Sequence, residues 1–414
     1  MTSHEAPPYE VLWVEEARAL GGALERAMKA PAIAVDVEAN GLFVYRPRLC
    51  ATQVAWEEGE KTVVLLVDTL ATSAAALDRL LGPDGPTKVL HDLTFDARML
   101  AEAGAPLARV RDTSVTARLL GQKATGLASL LAAELGIVLD KRFQQHDWSR
   151  RPISPAERRY LGDDVAYLLR LDRALAAKAA AVDIEEEIEE ECAYKLRAAL
   201  APPRETRPAY VRIKGAQKLD RPGRAALRSL VAAREAIAEA ADVPPFKIVT
   251  NEILLELAAR RPTSIRELGR VPGALSGRAG RHAARWLEAV TRGAAEGDVP
   301  PDERAHFEVA PIDRKEIARR RELESKISTF RRAEAKRRGV DEQAVLPGHC
   351  AQDVASILLT AAGEEPTETL ARIAAIPGLG AKRFERYGKR LASLLSAPGE
   401  AAAQAQGSGP REAS

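Results

Sequence analysis

The stretch Ala32-Ile33-Ala34-Val35-Asp36-Val37-Glu38 reads as an apolar strand that runs into two acids two residues apart. On a strand, residues i and i+2 share a face, so Asp36 and Glu38 project together from one rigid edge. Two adjacent carboxylates repel each other, and no salt-bridge partner lies nearby in the sequence. A hard divalent cation such as Mg²⁺ or Mn²⁺, which prefers oxygen ligands, would relieve that repulsion. Acid-x-acid alone is common, and a strand running out into solvent gives the same pattern. The reading therefore depends on what surrounds it.

Working outward, Val/Leu/Ile/Thr-rich runs at 9–14, 49–56, 62–67 and 88–90 predict further strands. Helical patterns lie at 15–29, 74–81, 95–103, 127–135 and 155–178. Strands first, then strands alternating with helices, predict an α/β or α+β core of about 200 residues. Two segments of this core carry chemistry. In His91-Asp92-Leu93-Thr94-Phe95-Asp96, Asp96 falls in the first turn of a helix whose apolar side takes in Phe95, Met99 and Leu100. An acid there is favoured by the helix dipole whatever its function, and His91 reads as a satisfied loop histidine. In Tyr160-Leu161-Gly162-Asp163-Asp164, Tyr160 and Asp164 are four apart and share a helix face, whereas Asp163 falls outside that register.

Acid-x-acid on a strand, an acid after His-x4, and Tyr-x3-Asp on a late helix together resemble the tyrosine branch of the DEDD exonuclease superfamily. Position 159 is Arg, so the histidine branch does not fit. The segment 141–164 (KRFQQHDWSRRPISPAERRYLGDD) is similar to the ribonuclease D family, through Asp147-Trp148, Arg151-Pro152 and Ser154. Asp112-Thr113 and the LASLLAAELGIVLDK run add to that likeness. The first motif departs from the family's usual Asp-Thr-Glu-Phe, reading Asp36-Val37-Glu38-Ala39-Asn40-Gly41, which is closer to proofreading exonucleases.

The resemblance implies a ribonuclease H-like α/β exonuclease domain over 1–200 that hydrolyses RNA from its 3′ end and releases nucleoside 5′-monophosphates. It also implies two divalent cations, Mg²⁺ or Mn²⁺, with Asp36 bridging them, Glu38 and Asp164 completing the first set and Asp96 supporting the second. Tyr160 is expected to orient the attacking water. It is a poor base, since an unperturbed phenol has a pKa of ~10. Precursor tRNA and other small structured RNA 3′ ends are the implied substrates. Competing readings are a single-strand DNA exonuclease, towards which Asn40-Gly41 leans, and a non-catalytic nucleic-acid-binding scaffold. A helicase is excluded, because no G-x-x-x-x-G-K-[ST] phosphate loop occurs.

The remainder of the chain is built differently. A Pro-rich linker is expected at 201–209, and everything after it reads as helical. Pro262-Thr263 followed by Val271-Pro272-Gly273 recurs as Pro366-Thr367 followed by Ile376-Pro377-Gly378. Trp286 follows the first turn and Tyr387 the second. This repeat predicts two small all-α units at 210–295 and 313–397. Both repeats resemble the HRDC domain, the second copy showing it best in Ile376-Pro377-Gly378-Leu379-Gly380 and Arg386-Tyr387-Gly388. Residues 398–414 are expected to be disordered.

The net charge of +2 hides an asymmetry: residues 1–200 carry 24 Lys+Arg against 31 Asp+Glu, and residues 201–414 carry 37 against 28. A basic second half suggests a polyanion partner. Lys382, Arg383, Arg386, Lys389 and Arg390, after the Pro-Gly-Leu-Gly turn, are the expected RNA-phosphate contacts. Arg331, Arg332, Lys336, Arg337 and Arg338 form a second basic cluster. Phe43 and Trp148 could stack on a base, although Trp148 and Trp286 read better as core. Cys50, Cys192 and Cys350 match neither a disulfide framework nor a zinc motif. No apolar run reaches the ~18 residues that span a bilayer, and MTSHEAPPYE lacks the features of a signal peptide. A cytoplasmic monomer is expected.

Overall fold

The computed structural model describes residues 8–202, 207–308, 314–361 and 364–395. A single six-stranded sheet organises the first 200 residues, in the order β1-β4-β3-β2-β5-β6. Its strands are β1 (Glu10–Val14), β2 (Ala32–Ala39), β3 (Leu49–Glu58), β4 (Lys61–Asp68), β5 (Thr87–Leu90) and β6 (Val110–Asp112). β2, β3 and β4 form an antiparallel meander, while β1, β5 and β6 add on in parallel. The central strands are largely apolar because both of their faces are covered. One face carries Ile33, Val35, Val54, Leu65 and the Asp96 helix (Thr94–Glu102). The other carries Ala34, Ala51, Ala55, Leu66 and the helices Pro155–Ala166 and Leu168–Ala181.

The predicted helix over 155–178 is two helices, broken at Tyr167 with φ −110° and ψ −4°. The predicted helix over 15–29 is a 3₁₀ turn followed by Leu20–Ala27. Strand β6 and the helices Thr113–Leu119 and Glu185–Leu200 were not expected from the sequence. β6 is only three residues long, too short for an alternation to register. Phe95 lies off the buried face of its helix, which is formed by Asp96, Ala97, Met99 and Leu100.

Beyond residue 207 the chain is helical. Arg221–Ala240, Asn251–Arg260, Ile265–Leu268 and Ala283–Glu296 pack around a core that includes Leu230, Leu254 and Trp286. The same order recurs as Arg314–Arg338, Gly348–Thr360, Pro366–Ala374 and Ala381–Ala392, with Tyr387 buried where the first unit has Trp286. The repeated Pro-Gly turns match as well. Gly273 and Gly378 have φ of +84° and +82°, and a Cβ on Gly378 would lie 2.7 Å from His349 Nε2. The expected tail at 398–414 and part of the linker lie outside the described residues.

The two helical units grip the exonuclease domain differently. The first holds the β2–β3 loop: Tyr45 N donates to Asp242 (3.1 Å), Arg46 pairs with Glu239 (2.6 Å), and Lys247 sits 4.6 Å over the Phe43 ring. Phe43 is thus engaged within the protein. The second shares a core with the exonuclease domain, where Val115, Leu119, Ile184, Ile188 and Cys192 join Leu346, Val354 and Tyr387.

This second junction corrects the assignment of the basic cluster. Arg383 is 1 % exposed, and its guanidinium donates to the carbonyls of Ala344, Gly378, Leu379 and Glu187. Arg386 pairs with Asp183 and Glu187, and Lys382 with Asp183 and Glu186. Arg338 donates to Tyr387 Oη (2.8 Å) and to the carbonyl of Asp183 (3.0 Å). Arg390 and Arg337 both pair with Glu334 at 2.8 Å. Of the side chains read from sequence as phosphate contacts, Lys382, Arg383 and Arg386 dock the helix Ala381–Ala392 on Asp183 and the start of the acidic helix Glu185–Leu200, while Arg390 pairs within its own unit. Lys336 and Lys389 remain exposed.

Arg383→Ala would strand four carbonyls and the acids around them, at a cost of about 3–5 kcal/mol by analogy with broken buried pairs. Its urea midpoint should fall clearly below that of the wild type. An unchanged midpoint would show that Arg383 does not hold the junction.

Candidate active site

The site lies at the end of β2. Asp36 and Glu38 leave the strand on the face covered by the Tyr160 helix, as the i, i+2 spacing requires. That helix begins sharply. Ser154 caps it, its hydroxyl accepting from Glu157 N (3.3 Å), while Glu157 returns the bond to Ser154 N (2.5 Å). Pro155 occupies the first turn, where a missing N–H does no harm. Starting there, Tyr160 and Asp164 face the strand one turn apart. Asp163 turns away, accepting from Tyr9 Oη (2.7 Å) and Arg159 Nε (3.1 Å).

Carboxylate oxygens of Asp36, Glu38 and Asp164 all lie within 4.8 Å of one another. Asp96 stands outside this trio, buried, with its Oδ2 unpartnered among the described residues. Electrostatics bind the four together. Burial, then Asp36 and Asp164, push the Glu38 carboxyl up to about 9. Burial, then Asp36 and Asp163, push Asp164 up to about 8. Asp36 rises to about 7 through burial. Asp96 is raised well above the usual carboxylate range by burial, then by Asp36, Asp112 and Glu38. No cation figures among these causes. Four hard oxygen donors that repel one another and have no positive partner among the described residues are the kind of donor set that Mg²⁺ or Mn²⁺ takes.

The turn that presents Asp96 is built by residues whose roles the sequence did not disclose. Asp112 caps the helix Thr113–Leu119 through Ser114 N (2.9 Å). It also accepts from the backbone N–H groups of Asp92 (3.0 Å) and Leu93 (3.1 Å), immediately before the Asp96 helix. Burial works against its charge, but Lys195 Nζ at 2.8 Å and these hydrogen bonds hold Asp112 below its ordinary value. His91 donates to or accepts from Thr113 Oγ1 at 2.9 Å and is a satisfied loop histidine.

Tyr160 rests on an aromatic wedge, with ring centroids 5.6 Å from Phe143 and 5.7 Å from buried Trp148. Arg151 locks the wedge from below, bonding Asp68 (2.5 and 2.7 Å), Cys50 O (2.9 Å) and Trp148 O (2.7 Å). Burial, then Asp164, Glu38 and Asp36, raise the phenol further above its ordinary value, so Tyr160 keeps its proton. It can orient a water or phosphate oxygen but cannot serve as a base.

A cavity of about 190 Å³ opens beside Tyr160 and Asp164, lined also by Ser129, Asp140, Lys141 and Gln144. Asp140 is paired with Arg142 (2.6 Å). The Lys141 ammonium is exposed and has no partner among the described residues. Asn40, which read as a link to proofreading enzymes, is buried and accepts from Arg48 N (2.8 Å), closing the β2–β3 loop.

Comparison with known proteins agrees with this architecture. Residues 11–180 match the family model for a 3′-5′ exonuclease, and residues 223–290 that for the HRDC domain. Ribonuclease D of Jannaschia sp. is 32% identical over 273 residues, covering 65% of this chain and 70% of the relative. Ribonuclease D of Acidiphilium cryptum is 30% identical over 313 residues, covering 73% and 77%. Among solved structures, a protein from Bifidobacterium adolescentis superposes with a TM-score of 0.71 at 20% identity, over 94% of this chain and 100% of its own. Escherichia coli RNase D, described as an exoribonuclease involved in structured RNA processing, gives 0.65 at 22% identity, over 93% and 98%. At such identities the superpositions establish the fold.

The raised carboxyls make stability depend on pH in a definite direction. A folded-state pKa above the unfolded one means that protons favour the folded form. In metal-free protein that contribution is full below about pH 4 and is lost as pH rises through 7 to 9. Asp36→Asn should therefore melt higher than wild type at pH 8 without metal. Added Mn²⁺ should raise the wild-type melting temperature more at pH 8 than at pH 6, since protons compete for the ligands. A metal-induced rise of equal size in Asp36→Asn would contradict this.

Proposed function

Since the chain belongs to the ribonuclease D family and is a 3′→5′ exoribonuclease, we propose that Asp36, Glu38, Asp96 and Asp164 hold two divalent cations at its reaction centre and that Tyr160 orients the attacking water. The observation that carries this reading is the trio of mutually repelling carboxylates within 4.8 Å, with Asp96 beside it. Two cations bound there would stabilise the attacking and leaving oxygens of a phosphodiester.

The protein's own groups do the rest. The four acids would hold and neutralise the cations, each from a strand or helix that sets its position. Tyr160, kept protonated and wedged against Phe143 and Trp148, has a single hydroxyl to offer, and that precision of placement is its contribution. The cavity beside it suits the terminal nucleotide, with Lys141 for a phosphate and Gln144 and Ser129 for polar edges. Phe95, exposed next to Asp96, offers a flat apolar face on the approach. Of the two basic clusters singled out in the last helical unit, Lys336 and Lys389 are exposed without a partner among the described residues and are the ones placed to meet phosphate. We read that unit as a second HRDC domain, from its repeated turn and helix order.

The substrates proposed are precursor tRNA and other small structured RNAs with 3′ extensions, trimmed to nucleoside 5′-monophosphates in the cytoplasm. The decisive experiment incubates a 3′-extended tRNA precursor and an equivalent single-stranded DNA with the protein and Mg²⁺. Shortening of the RNA to a defined end, with DNA left intact, is expected, and preferential digestion of DNA would overturn the RNA assignment. Asp36→Asn and Asp164→Asn should each nearly abolish turnover while retaining a cooperative melt. Tyr160→Phe should cost less than loss of an acid. Lys141→Ala should raise KM for RNA and lower the slope of log affinity against log salt by about one contact's worth, ~0.7 for a single strand. An unchanged slope would remove Lys141 from the phosphate path.

A further inference from the structure

Asp36 does not leave the sheet alone. In the antiparallel ladder between β2 and β3 its partner is Gln53. Directly opposed residues project to the same face, with Cβ atoms about 4.5–5.5 Å apart. Gln53 therefore emerges beside Asp36 on the face covered by the Tyr160 helix, between Ala51 and Ala55 of that packed layer. It is 0 % exposed, and neither its Oε1 nor its Nε2 has a hydrogen-bond partner among the described residues.

A buried amide left without hydrogen-bond partners destabilises the fold. The positions around it on this face are alanines and large aliphatics, and leucine would fill similar volume without that penalty. On the two strands that flank Gln53, the residues directly opposite it are Asp36 and Leu66, so the Asp36 carboxylate is the polar group the ladder sets beside the amide. An ionised Asp36 offers more acceptor positions than a cation uses, and an N–H donor in side-chain reach can take one of them.

We propose that Gln53 is a positioning residue for the metal site: its amide N–H donates to the ionised Asp36 carboxylate and fixes the rotamer in which Asp36 meets the cation. Groups in this outer role usually set ligand orientation, and their loss weakens metal affinity by about 10–100-fold. The proposal rests on Asp36 being a metal ligand. It assigns Gln53 no contact with RNA.

The test is a Mn²⁺ titration of full-length protein, read by the electron paramagnetic resonance of free Mn²⁺ and by calorimetry. The variants are wild type, Gln53→Leu, Gln53→Met and Asp36→Asn, each with its metal-free melting temperature. Gln53→Leu and Gln53→Met should bind Mn²⁺ at least about 10-fold more weakly while melting at or above the wild-type temperature, because each removes an unsatisfied polar group. With RNA, kcat should fall at fixed sub-saturating Mn²⁺, KM should hold, and excess Mn²⁺ should restore the rate. Wild-type Mn²⁺ affinity in both Gln53 variants, with affinity lost in Asp36→Asn, would overturn the positioning role alone. Undiminished Mn²⁺ binding in Asp36→Asn would instead overturn the metal site on which it rests. A lowered melting temperature with unchanged Mn²⁺ affinity would make Gln53 a packing residue and also overturn the proposal.

Discussion

Mutual repulsion among closely set, partly buried carboxylates is the constraint around which this molecule is arranged. Oxygens of three acids come within 4.8 Å, a fourth presses on them from the next helix, and no lysine or arginine among the described residues offsets them. Left to itself, such a cluster would take up protons or swing apart. It stays together because each acid is mounted on something that cannot yield. Asp36 and Glu38 sit on β2, paired with β3 at their own positions and held by β5 just before them. Asp164 sits on a helix fixed at its start by a reciprocal cap, and Asp96 on a helix whose first turn is tied down by Asp112. Strain of this kind persists only where the surrounding fold over-determines it.

The supports are graded by burial. Closest to the acids lie groups with little freedom: the Phe143–Trp148–Tyr160 wedge and the Asp112 hub with Lys195. Further out, Arg151 joins the end of β4 to the loop under Trp148 through four hydrogen bonds to Asp68, Cys50 and Trp148. A half-buried arginine of this type contributes more through geometry than through net stability, because desolvation offsets part of its Coulombic gain. Its bidentate hold on Asp68 sets the height of the Trp148 ring, and with it the height of Tyr160.

How much of this was legible in sequence follows from the range of each interaction. The i, i+2 pair at Asp36 and Glu38 and the i, i+4 pair at Tyr160 and Asp164 are consequences of local periodicity, and the resemblance to known exonucleases brought the two pairs and Asp96 into one site. The exclusion of Asp163 was legible for the same reason. The Asp112–Lys195 and Arg151–Asp68 contacts each join residues 83 positions apart, and no local pattern announces them. Gln53 acquires meaning only through the strand register that sets it opposite Asp36. The basic cluster shows the converse failure. Its charge was plain, but charge does not name its partner, and most of these cations meet carboxylates and carbonyls of the protein itself.

That misreading explains the charge asymmetry between the halves of the chain. The acidic run from Asp183 to Glu191 and the basic helix Ala381–Ala392 face each other across the junction, so part of the imbalance is complementarity within one molecule. The consequence reaches the site. Lys195, which secures Asp112 and so the Asp96 turn, stands on the same helix that the second helical unit clamps through Glu187. The loop following Asp36 and Glu38 is clamped by the first unit through Asp242 and Glu239. The β2 acids and Asp96 are thus each braced by a different helical unit. The helical half, which by sequence alone looked like a grip on RNA, is also part of the frame that holds like charges together.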